Sequence, residues 1–127
     1  MEIGETRPKL ALVVDDSMLI RHTICRFLED AGFVVETATN GMDALEMLAT
    51  LEPDIVITDI QMPKMSGVEL ITVLKSDPRT AKIPIIALSS LKCGAKGPAE
   101  DARADYSILK DIDIESQLKT TLANALR

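Results

Sequence analysis

The stretch Pro53-Asp-Ile-Val-Ile-Thr-Asp-Ile-Gln-Met-Pro-Lys-Met-Ser-Gly67 constrains this chain more than any other. An apolar run, Ile55-Val56-Ile57, leads to Asp59, and a proline-containing loop then runs to a helix start at Ser66-Gly67. A short, unbroken apolar run between turn signals is the pattern of a strand covered on both faces, as in a parallel sheet under helices. Asp59 then stands at the carboxyl end of a central strand, beside the crevice where open α/β sheets place their ligands. A carboxylate there is a metal ligand, a nucleophile or both.

Runs of this kind alternate with helical patterns along the chain. Leu10–Val14 reads as a strand ending in Asp15-Asp16, with Ser17 as an N-cap and Ile20, Ile24, Phe27, Leu28 and Ala31 at helical spacing up to Gly32. Phe33–Ala38 is a second strand. Thr39-Asn40-Gly41 is a cap and turn, and Ala44, Leu45, Leu48 and Leu51 mark a second helix. Val68, Leu70, Ile71 and Leu74 give a third, closed by Asp77-Pro78. Ile83–Leu88 is a fourth strand, with Pro84 near its start, where a missing N–H is tolerated. Ser107–Leu109 is a short fifth strand before Lys110, and Ile114, Leu118, Leu122 and Ala125 stripe a last helix. Between them, Gly94, Gly97 and Pro98 argue against a helix before Pro98, so 91–103 is expected to hold a long loop or a short, irregular fourth helix.

Strands alternating with helices imply βαβ units with right-handed crossovers. The expected fold is α/β, a flavodoxin-like, doubly wound, five-stranded parallel sheet of order 2-1-3-4-5 with helices on both faces. At 127 residues it is one domain, with 1–9 expected to be a flexible leader and 10–127 the folded unit. A core of Val, Ile, Leu and Ala, with aromatics at 2% of residues, suits such a sheet. The net charge of −6 argues against nucleic acid as a partner. Cys25 and Cys93 are expected to be two reduced thiols in a cytoplasmic protein, and no membrane span or signal peptide is expected.

The strand ends carry the chemistry. The topology puts Asp15, Asp16 and Asp59 on one rim, and three close carboxylates do not all stay ionised without a cation. A small cluster of hard oxygen ligands suits Mg2+, which takes one or two carboxylates together with phosphoryl oxygens. Asp59 is then placed as a carboxylate nucleophile toward phosphorus. Ser89 and Lys110, ending the fourth and fifth strands, bring a hydroxyl and an ammonium to the same rim, the groups that phosphoryl transfer requires.

At these residues the chain resembles the receiver domain of two-component response regulators. The matching pieces, in order and at family spacing, are Val13-Val-Asp-Asp-Ser17, Asn40-Gly-Met-Asp-Ala-Leu45, Asp54 through Asp59 to Gly67, Pro84-Ile-Ile-Ala-Leu-Ser89, and Lys110. The resemblance implies that Asp59 accepts a phosphoryl group from a histidine kinase or phosphotransfer protein. It implies that Asp16, Asp59 and the Gln61 carbonyl bind Mg2+, that Asp15 positions the ion, and that Ser89 and Lys110 hold the phosphoryl oxygens. The domain would then be no enzyme toward outside substrates; it would catalyse only its own phosphorylation and dephosphorylation. A downstream protein target and a homodimer through the last helix and fifth strand are further implications. So is either a stand-alone regulator or a receiver cut from a longer kinase or regulator.

Three departures bear on the readout. The aromatic switch residue usual in receivers is replaced by Ser107, with Tyr106 one place earlier and hence on the opposite face of an alternating strand unless a bulge intervenes. The proline that usually follows the lysine is replaced by Asp111, and 91–103 is poor in helix signals. These favour, as the alternative, a pseudo-receiver acting as a phosphorylation-independent interaction module. A flavin or nucleotide binder is disfavoured, because Asp15-Asp16-Ser17 is acidic where a phosphate-cradling loop would be glycine-rich. His22 and the basic residues Lys75, Arg79 and Lys82 read as surface groups.

Overall fold

The computed structural model describes residues 8–60, 67–89, 104–110 and 113–126. Five strands, β1 (Leu10–Val14), β2 (Val34–Ala38), β3 (Ile55–Asp59), β4 (Ile85–Ser89) and β5 (Tyr106–Leu109), form one parallel sheet in the order β2-β1-β3-β4-β5. The described helices are α1 (Met18–Asp30), α2 (Gly41–Leu48), α3 (Gly67–Ser76) and α4 (Ile114–Ala125). The expected fold class and strand order are those observed. The leader up to residue 7 and the expected irregular helix within 91–103 lie outside the described residues. Among the described residues, no helix is long and apolar enough to cross a membrane.

The apolar runs explain the layering. β3 and β4 are buried along their whole length, and β1 from its second residue, so nothing in them needs to alternate. One face of the sheet packs Ala11, Val13, Ile55, Ile57, Ile86 and Leu88 against Ile24 and Leu28 of α1 and Leu118 and Leu122 of α4. The other packs Leu12, Val14, Val56, Ile85 and Ala87 against α2 and α3 through Ala44, Leu48, Leu70, Ile71 and Leu74. The edge strands β2 and β5 carry mixed exposure, as strands with one neighbour do.

Local chemistry fixes the helix ends. The Ser17 hydroxyl caps α1 by accepting the Ile20 N–H at 3.3 Å, and Asn40 caps α2 by accepting from Asp43 at 2.9 Å. Gly32 follows α1 with φ +97, the left-handed turn expected of a glycine just past a helix. Some boundaries shift. Ala31 is the α1 cap and is exposed, because the chain turns there toward Gly32. α2 stops at Leu48, and Leu51 lies in the following turn with its N–H on the Met47 carbonyl. β4 starts at Ile85 rather than Ile83, since Ile83 is held in a turn onto Thr80 and Pro84 has no N–H to offer. Lys75 is not a solvated lysine: it is half-buried, 2.9 Å from Asp105, whose carboxylate also accepts the Ile85 N–H at 2.8 Å. His22 is exposed. Cys25 is a half-buried free thiol, and burial, with Glu29 beside it, pushes its pKa up.

Gly67 begins α3 with its N–H on the Ile60 carbonyl at 3.1 Å. A Cβ there would fall on the Asp59 carbonyl oxygen and come within 2.6 Å of the Ile60 Cα. The helix therefore starts hard against the backbone that carries Asp59, and only glycine fits. Gly67→Ala is expected to destabilise the fold by about 2 kcal/mol or more through overpacking against main chain. Urea unfolding followed by circular dichroism reads this, and an unchanged midpoint would mean that α3 can move off β3 without cost.

Candidate functional site

Parallel strands all end on one side, so β1, β3, β4 and β5 deliver their last residues to a single rim. Asp15 follows β1, and its N–H continues the ladder onto the Ala38 carbonyl at 3.1 Å. Its Oδ1 accepts the Ser17 N–H at 2.8 Å, which ties it to the start of α1, and Arg21 donates to its carbonyl at 2.8 Å. Asp59 ends β3 with 4% of its surface exposed, while Asp15 is wholly buried. The Thr58 hydroxyl donates to the Asp59 carbonyl at 2.9 Å, fixing the strand end.

Lys110 follows β5, and its N–H donates to the Ser89 carbonyl at 2.7 Å. Its Nζ lies 2.9 Å from Asp59 Oδ2 and 3.1 Å from Asp15 Oδ2, so one ammonium bridges two buried carboxylates. Burial alone would lower the lysine pKa, but the hydrogen bond and charge of Asp59, with those of Asp15, outweigh it and hold the pKa above its ordinary value. The lysine is therefore a fixed positive charge.

The exposed Asp16 completes the cluster: Asp15, Asp16 and Asp59 each offer a carboxylate oxygen, all within 4.8 Å of one another. Like charges about 4 Å apart in a partly buried setting repel by about 4 kcal/mol, a large share of the stability of an ordinary domain. Among the described residues, the Lys110 ammonium alone touches the carboxylates, with the Arg21 guanidinium on the Asp15 carbonyl, so negative charge is in excess on this rim. The fully buried Asp15 Oδ2 meets, among the described residues, only the Lys110 ammonium, at 3.1 Å, and keeps a lone pair to offer. Oxygen ligands, residual charge and an under-satisfied oxygen together fit a metal ion.

Of the residues singled out in the sequence, Asp15, Asp16, Asp59 and Lys110 converge. Ser89 shares the rim as the buried last residue of β4, opposite Leu109 in the register. Gln61 lies outside the described residues, as does Asp111. Tyr106 pairs with Ile86 and Ser107 with Ala87 in an unbroken register, so no bulge shifts β5. Tyr106 accordingly packs on the α1/α4 face and Ser107 is exposed. Arg21, Thr58 and Gln117 were not foreseen. Each acts by bonding to distant or adjacent backbone, for which neither spacing nor composition gives a signal; Gln117 pairs with Leu109, one residue before the lysine.

The family profile described as the response regulator receiver domain matches residues 11–122. A protein-glutamate methylesterase/protein-glutamine glutaminase of Clostridium acetobutylicum is 45% identical over 82 residues, 63% of this chain and 23% of that protein. The DNA-binding dual master transcriptional regulator RpaA of Synechocystis sp. is 32% identical over 108 residues, 84% of this chain and 45% of that protein. This chain thus spans less than half the length of either relative. Among solved structures, the chemotaxis response regulator CheY4 of Vibrio cholerae is similar with a TM-score of 0.84 at 30% identity, over 94% of this chain and 100% of that one.

The charge imbalance has a measurable consequence. Asp16→Asn removes a carboxylate that stands beside two others, and is expected to raise stability in chelator by up to about 1 kcal/mol. Adding a divalent cation should shrink or reverse that gain, because the variant loses a ligand. A variant less stable than the wild type in chelator would contradict the repulsion argument.

Proposed function

The chain belongs to the response regulator receiver domain family, and on that premise we propose that it is a phosphoacceptor switch with Asp59 as the accepting group. The observation that carries this reading is the buried Asp59 carboxylate with the Lys110 ammonium 2.9 Å away. In the step proposed, an Asp59 oxygen attacks the phosphorus of a phosphohistidine on a histidine kinase or phosphotransfer protein. The O–P bond forms, the P–N bond breaks, and its electron pair returns to the imidazole nitrogen. Lys110, fixed in its charged form, is placed to pair with a phosphoryl oxygen as the carboxylate becomes an acyl phosphate. The Ser89 hydroxyl, at the end of the neighbouring strand, is assigned a second phosphoryl oxygen as its donor. Hydrolysis reverses the switch: water attacks phosphorus, the O–P bond to Asp59 breaks, and inorganic phosphate leaves.

Asp15, Asp16 and Asp59, with the Gln61 carbonyl that the family resemblance adds, would hold Mg2+. Bound there, the ion would offset the charge of the cluster and of the phosphoryl oxygens. The domain's substrate is itself, so the methylesterase activity and DNA binding in the relatives' names are not carried over. The output on this reading is a changed contact with a downstream protein.

A second reading, a phosphorylation-independent interaction module on the same fold, is favoured by one observation: the exposed Ser107 stands where receivers usually carry an aromatic switch, and Tyr106 faces the other way. Intact-mass spectrometry after incubation with Mg2+ and acetyl phosphate separates the two. The wild type is expected to gain one phosphoryl group, Asp59→Asn none, and the wild type in chelator none. A wild type that stays unlabelled supports the second reading; a labelled Asp59→Asn removes Asp59 as the acceptor.

A further inference from the structure

Among the described residues β5 is an edge strand, with β4 on one side only. Along a strand, successive residues send their backbone groups to alternate sides. Lys110 directs its N–H inward, onto the Ser89 carbonyl at 2.7 Å. The N–H and C=O of Leu109 therefore point outward, where an edge strand would ordinarily leave them to water.

They are instead taken up by one side chain. The Leu109 N–H donates to Gln117 Oε1 at 3.1 Å, and Gln117 Nε2 donates to the Leu109 carbonyl at 2.9 Å. A carboxamide carries a donor and an acceptor side by side, as a peptide group does. Gln117 thus stands in for one residue of a sixth strand. Its own position is firm, since it lies in the first turn of α4 between the buried Ile114 and Leu118. Asp113 caps that turn by accepting from the Ser116 N–H at 3.2 Å and the Ser116 hydroxyl at 2.9 Å.

Resting on the phosphoacceptor reading above, we propose that Gln117 is a positioning residue for Lys110: its carboxamide locks the Leu109 peptide groups to α4 and so fixes the root of the lysine that reaches Asp59. A lysine stem is four flexible carbons long, and its ammonium is useful only where its backbone is held. The chain is held at that point from both sides, by Ser89 of β4 through Lys110 itself and by Gln117 of α4 through Leu109. The Leu109 carbonyl and the Lys110 N–H and Cα belong to one planar peptide unit, so a shift of that carbonyl passes directly to the lysine. The pairing also shields a sheet edge; that role alone would contribute to stability but not to the chemistry.

The test compares Gln117→Met, nearly the same size but unable to bond Leu109, with Gln117→Glu, which keeps the acceptor for the Leu109 N–H. Phosphorylation by acetyl phosphate with Mg2+ is expected to slow about tenfold or more in Gln117→Met and by less in Gln117→Glu. The Lys110 ammonium 1H–15N signal, read without phosphodonor, should shift and broaden in the same order. Leu118→Val loosens the same helix through its core and leaves the Leu109 pairing in place. It should lower the thermal midpoint while leaving rate and ammonium signal as in the wild type. Wild-type rate and signal in Gln117→Met overturn the proposal, and so does an equal slowing in Leu118→Val. Should Gln117→Met not fold, Gln117→Glu with wild-type rate and signal overturns it. A wild type that takes no phosphoryl group defeats the phosphoacceptor reading, whereas the ammonium signal still reports whether Gln117 places the lysine.

Discussion

One ammonium shared between two buried carboxylates is the constraint on which this structure turns. Lys110 Nζ sits within 3.1 Å of both Asp59 and Asp15, which are 4% and 0% exposed. A buried carboxylate without a partner is strongly unfavourable, so this pair of contacts helps to hold acids at the ends of β1 and β3. The parallel topology supplies the rest. β1 and β3 are neighbours at the centre of the sheet, and β5 reaches them from the edge only through the length of a lysine side chain. A shorter cation on β5 would not span the intervening strand. The excess of negative charge on the rim is a cost to stability that a bound cation would offset.

What the sequence revealed followed from periodicity and from strand ends. Ile55–Ile57 and Ile85–Leu88 are unbroken apolar runs because both faces of β3 and β4 are covered, and that same fact located Asp59 and Ser89. Ser17 and Asn40 were legible because capping depends on residues within three positions. The residues that escaped notice work at long range. Lys75 is paired by Asp105, thirty positions away in the chain. Gln117 reaches back eight residues to Leu109, and its place beside the apolar stripe of α4 looks like any half-buried helix position. Gly67 reads as a helix start, but that its Cα lies against the Asp59 carbonyl is a fact of packing that no spacing encodes.

The fifth strand carries the position of the missing aromatic and leads into the rim lysine. Its register against β4 is continuous from Tyr106 to Leu109, so the one-residue offset of the aromatic is a full change of face. Tyr106 joins the cluster formed by α1, α4 and the sheet, where its ring is part of the packing. Ser107, on the other face, is a small exposed side chain with no ring to move between inner and outer positions. The acidic rim is untouched by this exchange, because Leu109 and Lys110 keep their own pairing beyond it. The position of the missing aromatic and the rim lysine are thus adjacent, on β5 and just past it, but held by separate contacts.

That separation directs attention to charge rather than to an aromatic rotamer as the source of any conformational change. On the phosphoacceptor reading, Asp59 passes from one negative charge to a phosphoryl group of roughly −2. Lys110 is pulled toward the greater charge, away from Asp15. Asp15 Oδ2 is buried with the ammonium as its contact among the described residues, so losing part of the ammonium leaves it dependent on a cation or on movement of its own surroundings. Those surroundings are the first turn of α1, bonded to Asp15 through Ser17 and Arg21. At the other end of the same lysine, its backbone is tied to β4 and, through Leu109, to α4. A change of charge at one oxygen of β3 therefore acts on α1 through Asp15 and on the α4 edge through Lys110. A conformational signal carried by this pair of paths would have no need of the missing aromatic.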